Sequence, residues 1–271
     1  MENSVGIIGC GWLGKALAKA LIADSHSVMV TTQSADKKTL LEQQGIATEL
    51  LTLPVTHIEK EQFVFQKSCL VIAITPQFRQ GKIDYPEKIT QLVHLAEQGD
   101  IKQIIMVSST AVYQGLAGEV DEDVELDLSI DKVSLINDAE QAAIAFKGKV
   151  VILRLAGLVG DDRHPGKFLQ GNRQIMEPQV PVNLIHQRDV IGLMQQIIND
   201  DVFVGTYNGV SSTNATKEHY YKAAASSLNL SVPNFAAQSS EVVGKKIIGN
   251  KIREKLSYQF YYDDLVEWLK V

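Results

Sequence analysis

Three glycines near the start of the chain have the spacing of a phosphate-binding turn. Gly9, Gly11 and Gly14 follow a short apolar run at Val5–Ile8 and open an amphipathic stretch at Leu13–Ala23. In such a turn the first glycine permits a tight bend, the second lets the backbone approach a pyrophosphate, and the third allows close packing of helix on strand. The N–H groups at the helix start attract the phosphate charge. A glycine-rich turn without a ligand is the alternative, and the strand–turn–helix context disfavours it. The predicted cofactor contacts are Gly9, Gly11, Trp12, Leu13 and Gly14.

The tip of the second predicted strand bears on which dinucleotide would bind. NAD sites place an acidic residue about 20 residues beyond the glycines, where it binds the ribose 2′-hydroxyl. Here the strand ends in Thr32, Gln33 and Ser34, which carry no carboxylate, and Lys37 and Lys38 follow. Hydroxyls and lysines accommodate a 2′-phosphate that a carboxylate would repel. The sequence therefore favours NADP over NAD, although two lysines at the start of a surface helix are also typical of a solvated face.

Short β-branched runs alternate with helical patterns through the first 155 residues. Apolar strands separated by helices predict a parallel sheet covered on both faces, which is an α/β doubly wound (Rossmann) domain. Ligands lie at the carboxyl ends of the strands in such a sheet, so Thr75 and Pro76 after the fourth strand are expected to flank the cofactor. The predicted strands are Val5–Ile8, Ser27–Thr31, Ala47–Leu51, Leu70–Ile74, Gln103–Val107 and Val150–Leu155.

One helix carries start and stop signals. Apolar residues recur at helical spacing across Tyr85–Gln98. Asp84 is placed to cap this helix, and Glu87 three residues further on would complete a capping box. Gly99 is predicted to end it.

The regular alternation breaks in the second half of the chain. Gly157–Gly171 is rich in Gly, Asp, Arg and His and is predicted as a loop. Leu265 and Trp268 in the charged, aromatic tail are expected to pack back onto the body. The sequence therefore predicts an NAD(P)-binding Rossmann domain at residues 1–156 and a smaller α/β substrate-binding lobe at residues 157–271, partly interleaved with it.

Composition excludes several classes of protein. The chain has 271 residues, a net charge of −6 and no stripe of Lys or Arg, so a nucleic-acid partner is not expected. Cys10 and Cys69 lie in apolar stretches without metal-ligand spacing, which predicts small core residues of a reducing compartment and no metal. The first residues lack the features of a signal peptide, and the apolar runs are too short for a membrane span. A cytoplasmic protein with a small-molecule substrate and no membrane partner is expected.

Three further segments carry a resemblance to a known family. They are Ser108–Tyr113 after the fifth strand, Ile152–Leu155 with the glycines that follow, and Asn183–Val190. With them the chain resembles, over nearly its whole length, the extended short-chain dehydrogenases/reductases, which are NAD(P)-dependent nucleotide-sugar epimerases and dehydratases. The resemblance implies an oxidoreductase or epimerase acting on a sugar-like or nucleotide-sugar-like molecule, often as a homodimer. It also implies that Ser108 lies at the cofactor and that Ser109 is the catalytic serine.

The proton-transfer residues of that family are missing. The family uses a Tyr as general acid/base, with a Lys four residues later that lowers its pKa. Glu140 matches the family's Glu eight residues after the Tyr, which places Lys132 and Ile136 where the Tyr and the Lys belong. No tyrosine occurs between Tyr113 and Tyr207. Any reaction must therefore follow an atypical mechanism.

Three interpretations remain open. In the first, another group replaces the Tyr, and the candidates are Lys132, Ser134, Asp131 and His186. In the second, the protein binds the dinucleotide without turnover, as a sensor or scaffold. The third is a dehydrogenase of another class with a GxGxxG start, such as the 6-phosphogluconate type. It is disfavoured by the ending of the fifth strand and by the absence of a long helical bundle in the second half.

Candidate substrate-binding residues lie beyond the sixth strand. Arg163, His164 and Lys167 could clamp a phosphorylated or carboxylated ligand, with a solvated loop as the alternative. His186 could face the site from a strand end, whereas a buried histidine satisfied by the backbone is the alternative. Arg253 lies in a helix near the C-terminus, where members of the family often bind a substrate diphosphate.

Overall fold

The computed structural model describes residues 4–55, 62–168, 174–200, 202–237 and 243–271. Its strands are, in chain order, β1 Ser4–Ile8, β2 Ser27–Thr32, β3 Thr48–Leu50, β4 Cys69–Ile72, β5 Gln103–Ser109, β6 Gly118–Val120, β7 Lys149–Leu155, β8 Gly157–Val159, β9 Gln174–Ile175, β10 Leu184–His186, β11 Gly205–Gly209, β12 Asn234–Phe235 and β13 Lys245–Ile247. Its helices are α1 Trp12–Ala23, α2 Ala35–Gln43, α3 Tyr85–Gln98, α4 Asp131–Ile144, α5 Gln187–Asn199, α6 Lys217–Ser226, α7 Asn250–Leu256 and α8 Leu265–Trp268.

The central sheet has seven strands in the order β11-β7-β5-β4-β1-β2-β3. The pairs β1–β2, β1–β4, β2–β3 and β4–β5 are parallel. The chain starts at β1, runs outward through β2 and β3, and then crosses back to β4, so its direction of winding reverses between β1 and β4. The predicted α/β doubly wound Rossmann sheet is thereby confirmed. Ligands in such sheets bind at the carboxyl ends of the strands beside that reversal.

The strands of this sheet form from nearly continuous apolar runs, because helices cover both of its faces. All four residues of β4 are buried. Cys10 and Cys69 are unpaired and only 2% and 5% exposed, which confirms their prediction as core residues. Across the described ranges, no helix combines the length and the apolar character needed to cross a bilayer.

Helix α3 shows where a local sequence signal was right and where it was wrong. It begins at Tyr85 and ends at Gln98 as predicted, with Gly99 at its C-terminus. The predicted capping box is wrong, because the side chain of Asp84 makes no capping hydrogen bond. Its carboxylate instead accepts a hydrogen bond from the Nζ of Lys88 at 2.8 Å.

The chain divides into two compact units, each built from several segments. The first unit comprises Met1–Val112, Leu128–Arg154 and Met194–Thr206. The second comprises Tyr113–Asp127, Leu155–Leu193 and Tyr207–Val271. The division predicted from the sequence at residues 156 and 157 stays a prediction.

The second unit contains three small parallel strand pairs, β8–β10, β9–β12 and β6–β13. The predicted loop at Gly157–Gly171 is wrong at its start, because Gly157–Val159 forms strand β8 against β10. Its last residues, 169–171, lie outside the described ranges. Leu265 and Trp268 are buried in an apolar cluster with Tyr220, which confirms that the tail packs back.

Candidate functional site

The glycine turn between β1 and α1 has the backbone that a phosphate cradle needs. Gly9 has φ +96°, and a Cβ there would lie 2.9 Å from the carbonyl oxygen of Ala73. A Cβ at Gly14 would lie 2.4 Å from the carbonyl oxygen of Gly9, so the helix packs on the turn at a distance that only glycine permits. Gly11 precedes α1 without a capping side chain. A Cβ at Gly11 would meet no atom within 4 Å, so the backbone faces open space here.

A pocket of about 320 Å³ adjoins this turn, and all its lining residues belong to the first unit. Its wall collects residues from the ends of β1, β2, β3 and β4 and from α3. They are Ile8, Gly9, Cys10, Gly11, Thr31, Thr32, Gln33, Ser34, Lys37, Leu51, Leu53, Ala73, Ile74, Thr75, Gln77 and Lys88. Of the predicted cofactor contacts, Gly9, Gly11, Thr32, Gln33, Ser34 and Thr75 line the pocket, whereas Trp12, Leu13, Gly14, Pro76 and Ser108 do not.

Hydroxyl groups fix the end of β2 against the glycine turn. The Oγ1 of Thr31 accepts a hydrogen bond from the N–H of Gly9 at 3.2 Å. Ser34 caps α2 by accepting a hydrogen bond from the N–H of Lys37 at 3.3 Å. Within the part of the chain that the structure describes, the residues that line the pocket include two lysines and no carboxylate. The β2 end of the pocket therefore offers hydroxyls, a helix N-terminus and the exposed cation of Lys37 to an anionic group.

The pKa of the Cys10 thiol depends on burial and on the lysines near the same wall of the pocket. Burial raises the pKa of its thiol, while the positive charges of Lys37 and Lys15 act in the opposite direction. The thiol is 2% exposed and stays protonated, so it contributes shape to the pocket and no nucleophile.

Four lining residues lie outside the segments in which the sequence predicted cofactor contacts, because they come from elements whose approach to the pocket is set by the fold. Leu51 and Leu53 follow β3, and Gln77 follows β4 in a left-handed conformation with φ +53°. Only Lys88 had a signal in the sequence, since it is a lysine within the apolar stripe of α3.

The two serines at the end of β5 have different partners. The hydroxyl of Ser108 donates a hydrogen bond to Oε1 of Glu140. Arg154 donates to the same carboxylate from Nε and from Nη2, the latter at 2.7 Å. Glu140 is 1% and Arg154 7% exposed. The Oγ of Ser109, which is half-buried, accepts a hydrogen bond from the N–H of Ala111 at 3.1 Å.

Helix α4 presents no tyrosine where the resemblance places one. Lys132 in its first turn is exposed, and Ile136 one turn later is buried. Of the substitutes considered, Ser134 lies 3.4 Å from a carboxylate oxygen of Asp138 and Asp131 is exposed. The described residues of α4 therefore show no charged group beside Ile136 that would act as the family's Lys does.

Two histidines of the second unit flank the ring of Trp268. The ring centroids of His186 and His164 lie 4.8 and 5.4 Å from it. Nδ1 of His186 accepts a hydrogen bond from the N–H of Arg188, so the neutral ring carries its proton on Nε2. That Nε2 lies 3.8 Å from Oδ1 of Asp161 and has no hydrogen-bond partner among the described residues.

Arg163 and Arg253 occupy different surroundings. Arg163 is exposed, with its guanidinium 5.7 Å from the ring centroid of Phe168. Arg253 donates to Asp263 at 2.6 Å and stacks 3.7 Å from the ring centroid of Phe260. Its charge is thus already paired within the second unit. Among the described residues no group of three or more His, Cys, Asp or Glu side chains could hold a metal.

The free energy of unfolding is expected to fall as the pH drops below about 6.5, the unperturbed histidine pKa. Burial lowers the pKa of both His186 and His164, and the nearby Asp161 opposes this shift. In that pH range the unfolded chain binds more protons than the folded one, so acid destabilises the fold. His186→Gln should flatten the decline between pH 7.5 and 5.5, measured by urea unfolding. Exposed His219→Gln is the control, and an equal slope in both variants would contradict the burial argument.

The doubly wound sheet and the glycine-turn pocket define a Rossmann protein with the fold of the extended short-chain dehydrogenases/reductases. Residues 4–84 match the family described as "NADP oxidoreductase coenzyme F420-dependent". A putative NAD-dependent epimerase/dehydratase from Methylobacillus flagellatus superposes with a TM-score of 0.75 at 21% identity, covering 98% of this chain and 96% of that one. The human epimerase family protein SDR39U1, solved with NADPH, gives 0.74 at 17% identity and 98% coverage of both chains. The predicted resemblance is confirmed in the fold.

The chain belongs to the family of the Escherichia coli (strain K12) protein YeeZ. The two sequences are 31% identical over 268 residues, which cover 97% of each chain.

Proposed function

We propose that the protein binds NADP in the pocket beside the glycine turn. The glycine turn supports this proposal most directly. Helix α1 begins there without a capping side chain, and the backbone at Gly11 faces open space. A pocket of about 320 Å³ adjoins the turn. The backbone N–H groups there would hold the pyrophosphate. When bound, the nicotinamide would supply hydride transfer, and the protein's own residues bind and orient it. The NADPH in SDR39U1 and the NADP named by the matching family support the same cofactor.

The preference for the 2′-phosphate rests on the end of β2. A ribose 2′-hydroxyl is usually held by a carboxylate, and none of the described residues that line this pocket carries one. Thr32 and Ser34 offer hydroxyls, and Lys37 offers a positive charge on the first turn of α2. These groups donate charge-assisted hydrogen bonds to a dianionic phosphate, which are stronger than those they would make to a neutral hydroxyl.

Lys37→Gln is expected to weaken NADP binding about 5-fold and leave NAD binding unchanged, because an exposed cation contributes about 1 kcal/mol to a phosphate contact. Calorimetric titration of both nucleotides measures this. Lys38→Gln is the matched control, since Lys38 pairs with Glu42 at 3.7 Å and does not line the pocket. Equal losses for NADP and NAD would contradict the role of Lys37, and tighter binding of NAD by the unmodified protein would contradict the preference.

We also propose that the protein is an epimerase/dehydratase-like oxidoreductase acting on a sugar-like or nucleotide-sugar-like small molecule. The retained Ser109 at the end of β5 supports this, and Arg163, His164 and His186 are the proposed substrate contacts. The mechanism is atypical, because Lys132 and Ile136 stand where the family has its Tyr and Lys. His186 is 4% exposed with a buried Nε2, so it would reach a substrate only if its neighbours moved, and the lowered pKa of its ring makes it a weak base.

Buried Ile136 favours a second candidate, a dinucleotide-binding sensor without turnover. Ile136 is apolar, so it cannot lower the pKa of a neighbouring group as the family's Lys does. Incubation of the protein with NADPH and carbonyl sugars, followed at 340 nm, separates the two. Oxidation of NADPH that Ser109→Ala abolishes, with NADP binding intact, establishes the enzyme. NADP binding without hydride exchange on any of these substrates establishes the sensor.

A further inference from the structure

Lys88 is a charged residue in an apolar position of α3. Its neighbours on the same helix face, among them Tyr85, Ile89 and Leu92, are buried core residues. Lys88 itself is 9% exposed and lines the pocket beside the glycine turn. An apolar residue would fill this position without the cost of desolvating an ammonium group. The lysine therefore calls for an explanation in terms of what enters the pocket.

Asp84 holds the ammonium group of Lys88 in place. The Nζ of Lys88 lies 2.8 Å from Oδ1 of Asp84, which takes up one of its three N–H donors. This hydrogen bond is the main cause that lowers the pKa of Asp84, so the carboxylate is ionised and the pair is neutral overall. Asp84 stands at the start of α3 but makes no capping bond. Its side chain accepts a hydrogen bond from Lys88 and leaves the N-terminus of α3 uncapped.

The surroundings of Lys88 fit the flat face and polar edge of a purine. Leu51, Leu53 and Ile74 give the same pocket apolar surface against which a base can pack. Adenine presents an N6–H donor beside the N1 acceptor on the edge farthest from its ribose. The ammonium group of Lys88 is a donor that complements the N1 acceptor.

The geometry points to Lys88 as the residue that recognises the adenine base, donating to N1. This inference rests on the proposed binding of an adenine dinucleotide in the pocket. A phosphate is the less suitable partner, because Asp84 already neutralises Lys88 whereas exposed Lys37 stands at the end of β2. With the ribose at β2, the far edge of the base is the part that reaches the wall formed by α3.

The test compares NADP with its hypoxanthine analogue, in which N1 becomes a donor and the N6 amine becomes an oxygen. The unmodified protein is expected to bind NADP about tenfold more tightly than the analogue, the discrimination typical of a paired donor and acceptor. In Lys88→Met this preference should fall to about twofold or less, since both ligands then meet an apolar side chain. Calorimetric titration gives the four dissociation constants. Lys102→Met, an exposed lysine outside the pocket, should retain the preference.

Each outcome distinguishes the recognition of the base from other roles. Equal weakening of both ligands in Lys88→Met would show a cation acting on phosphate, and unchanged affinities would show a structural residue; either overturns the inference. If Lys88→Met fails to fold, Asp84→Asn provides the second variant, because it weakens the bond that positions the ammonium group of Lys88 and should likewise reduce the preference for adenine. If the unmodified protein binds neither NADP nor NAD, the proposed function itself fails.

Discussion

Replacing Glu140 with leucine is expected to lower the free energy of unfolding by about 3 to 5 kcal/mol, because the substitution leaves a buried arginine without its counter-ion. Glu140 accepts hydrogen bonds from Arg154 through both of its oxygens and one from Ser108. Both charged side chains are more than nine-tenths buried. Arg154 would keep its charge in a place that water does not reach, and the hydroxyl of Ser108 would lose its acceptor. Urea unfolding of the purified variant measures the loss.

Two further variants show whether the effect comes from the unpaired charge. The double variant Glu140→Leu/Arg154→Met removes both charges and should recover most of the loss, since well-packed apolar residues replace buried ion pairs at little cost. Glu42→Leu breaks an exposed pair with Lys38 and is expected to cost less than about 1 kcal/mol. A double variant as unstable as Glu140→Leu would contradict the account, because the cost would then come from packing.

The Glu140–Arg154 pair connects three elements at the end of the sheet where Ser109 lies. Glu140 is on α4, Arg154 on β7 and Ser108 on β5. Ser108 was predicted as a cofactor contact from the resemblance, but its hydroxyl faces Glu140 and it does not line the pocket. That prediction stays untested by any ligand. The geometry gives Ser108 a second role, which is to tie the end of β5 to the buried ion pair.

Elements with strong local signals were predictable from the sequence. Helix α3 has an apolar stripe of helical period and a terminating glycine, and its bounds are as predicted. The strand predicted at Leu70–Ile74 is observed as β4 at Cys69–Ile72, so it begins one residue and ends two residues earlier than predicted. The predicted capping box of α3 was wrong. The carboxylate of Asp84 can accept from the N–H groups of the first helical turn or from Lys88 one turn later, and it pairs with Lys88.

The pocket was only partly predictable, for a physical reason. Gly9, Gly11, Ser34 and Thr75 follow strands directly, and the carboxyl ends of parallel strands meet at one edge of a sheet. Gln77, Leu53 and Lys88 reach the same place only through loop and helix geometry, which the positions of the strands do not predict. Leu51 directly follows β3, but it was predicted inside that strand. Strand β8 was missed because three residues of β structure inside a polar, glycine-rich stretch are stabilised by β10, which lies far along the chain.

Gly11→Ala is expected to separate binding from folding. The backbone at Gly11 has φ −78°, which alanine adopts without strain, and the added Cβ would meet no atom within 4 Å. The free energy of unfolding should therefore change by less than about 0.5 kcal/mol. The methyl group would lie where the pyrophosphate approaches the backbone, and an overpacked contact of about 1 to 3 kcal/mol corresponds to a loss of NADP affinity of roughly 5- to 150-fold. Urea unfolding and calorimetric titration measure the two quantities.

Gly14→Ala adds the same methyl group three residues later and should lower both quantities. Its Cβ would lie 2.4 Å from the carbonyl oxygen of Gly9, so either the helix or the turn must move. Alanine is more favourable than glycine in a helix interior by up to about 1 kcal/mol, and this gain in the free energy of unfolding partly offsets the cost of the clash. A net loss of stability would therefore show that the contact between α1 and the turn decides the outcome. Gly11→Ala fills the open space next to the turn, and Gly14→Ala pushes the turn away from α1. Unchanged NADP binding in both variants would therefore mean that the dinucleotide does not approach this turn.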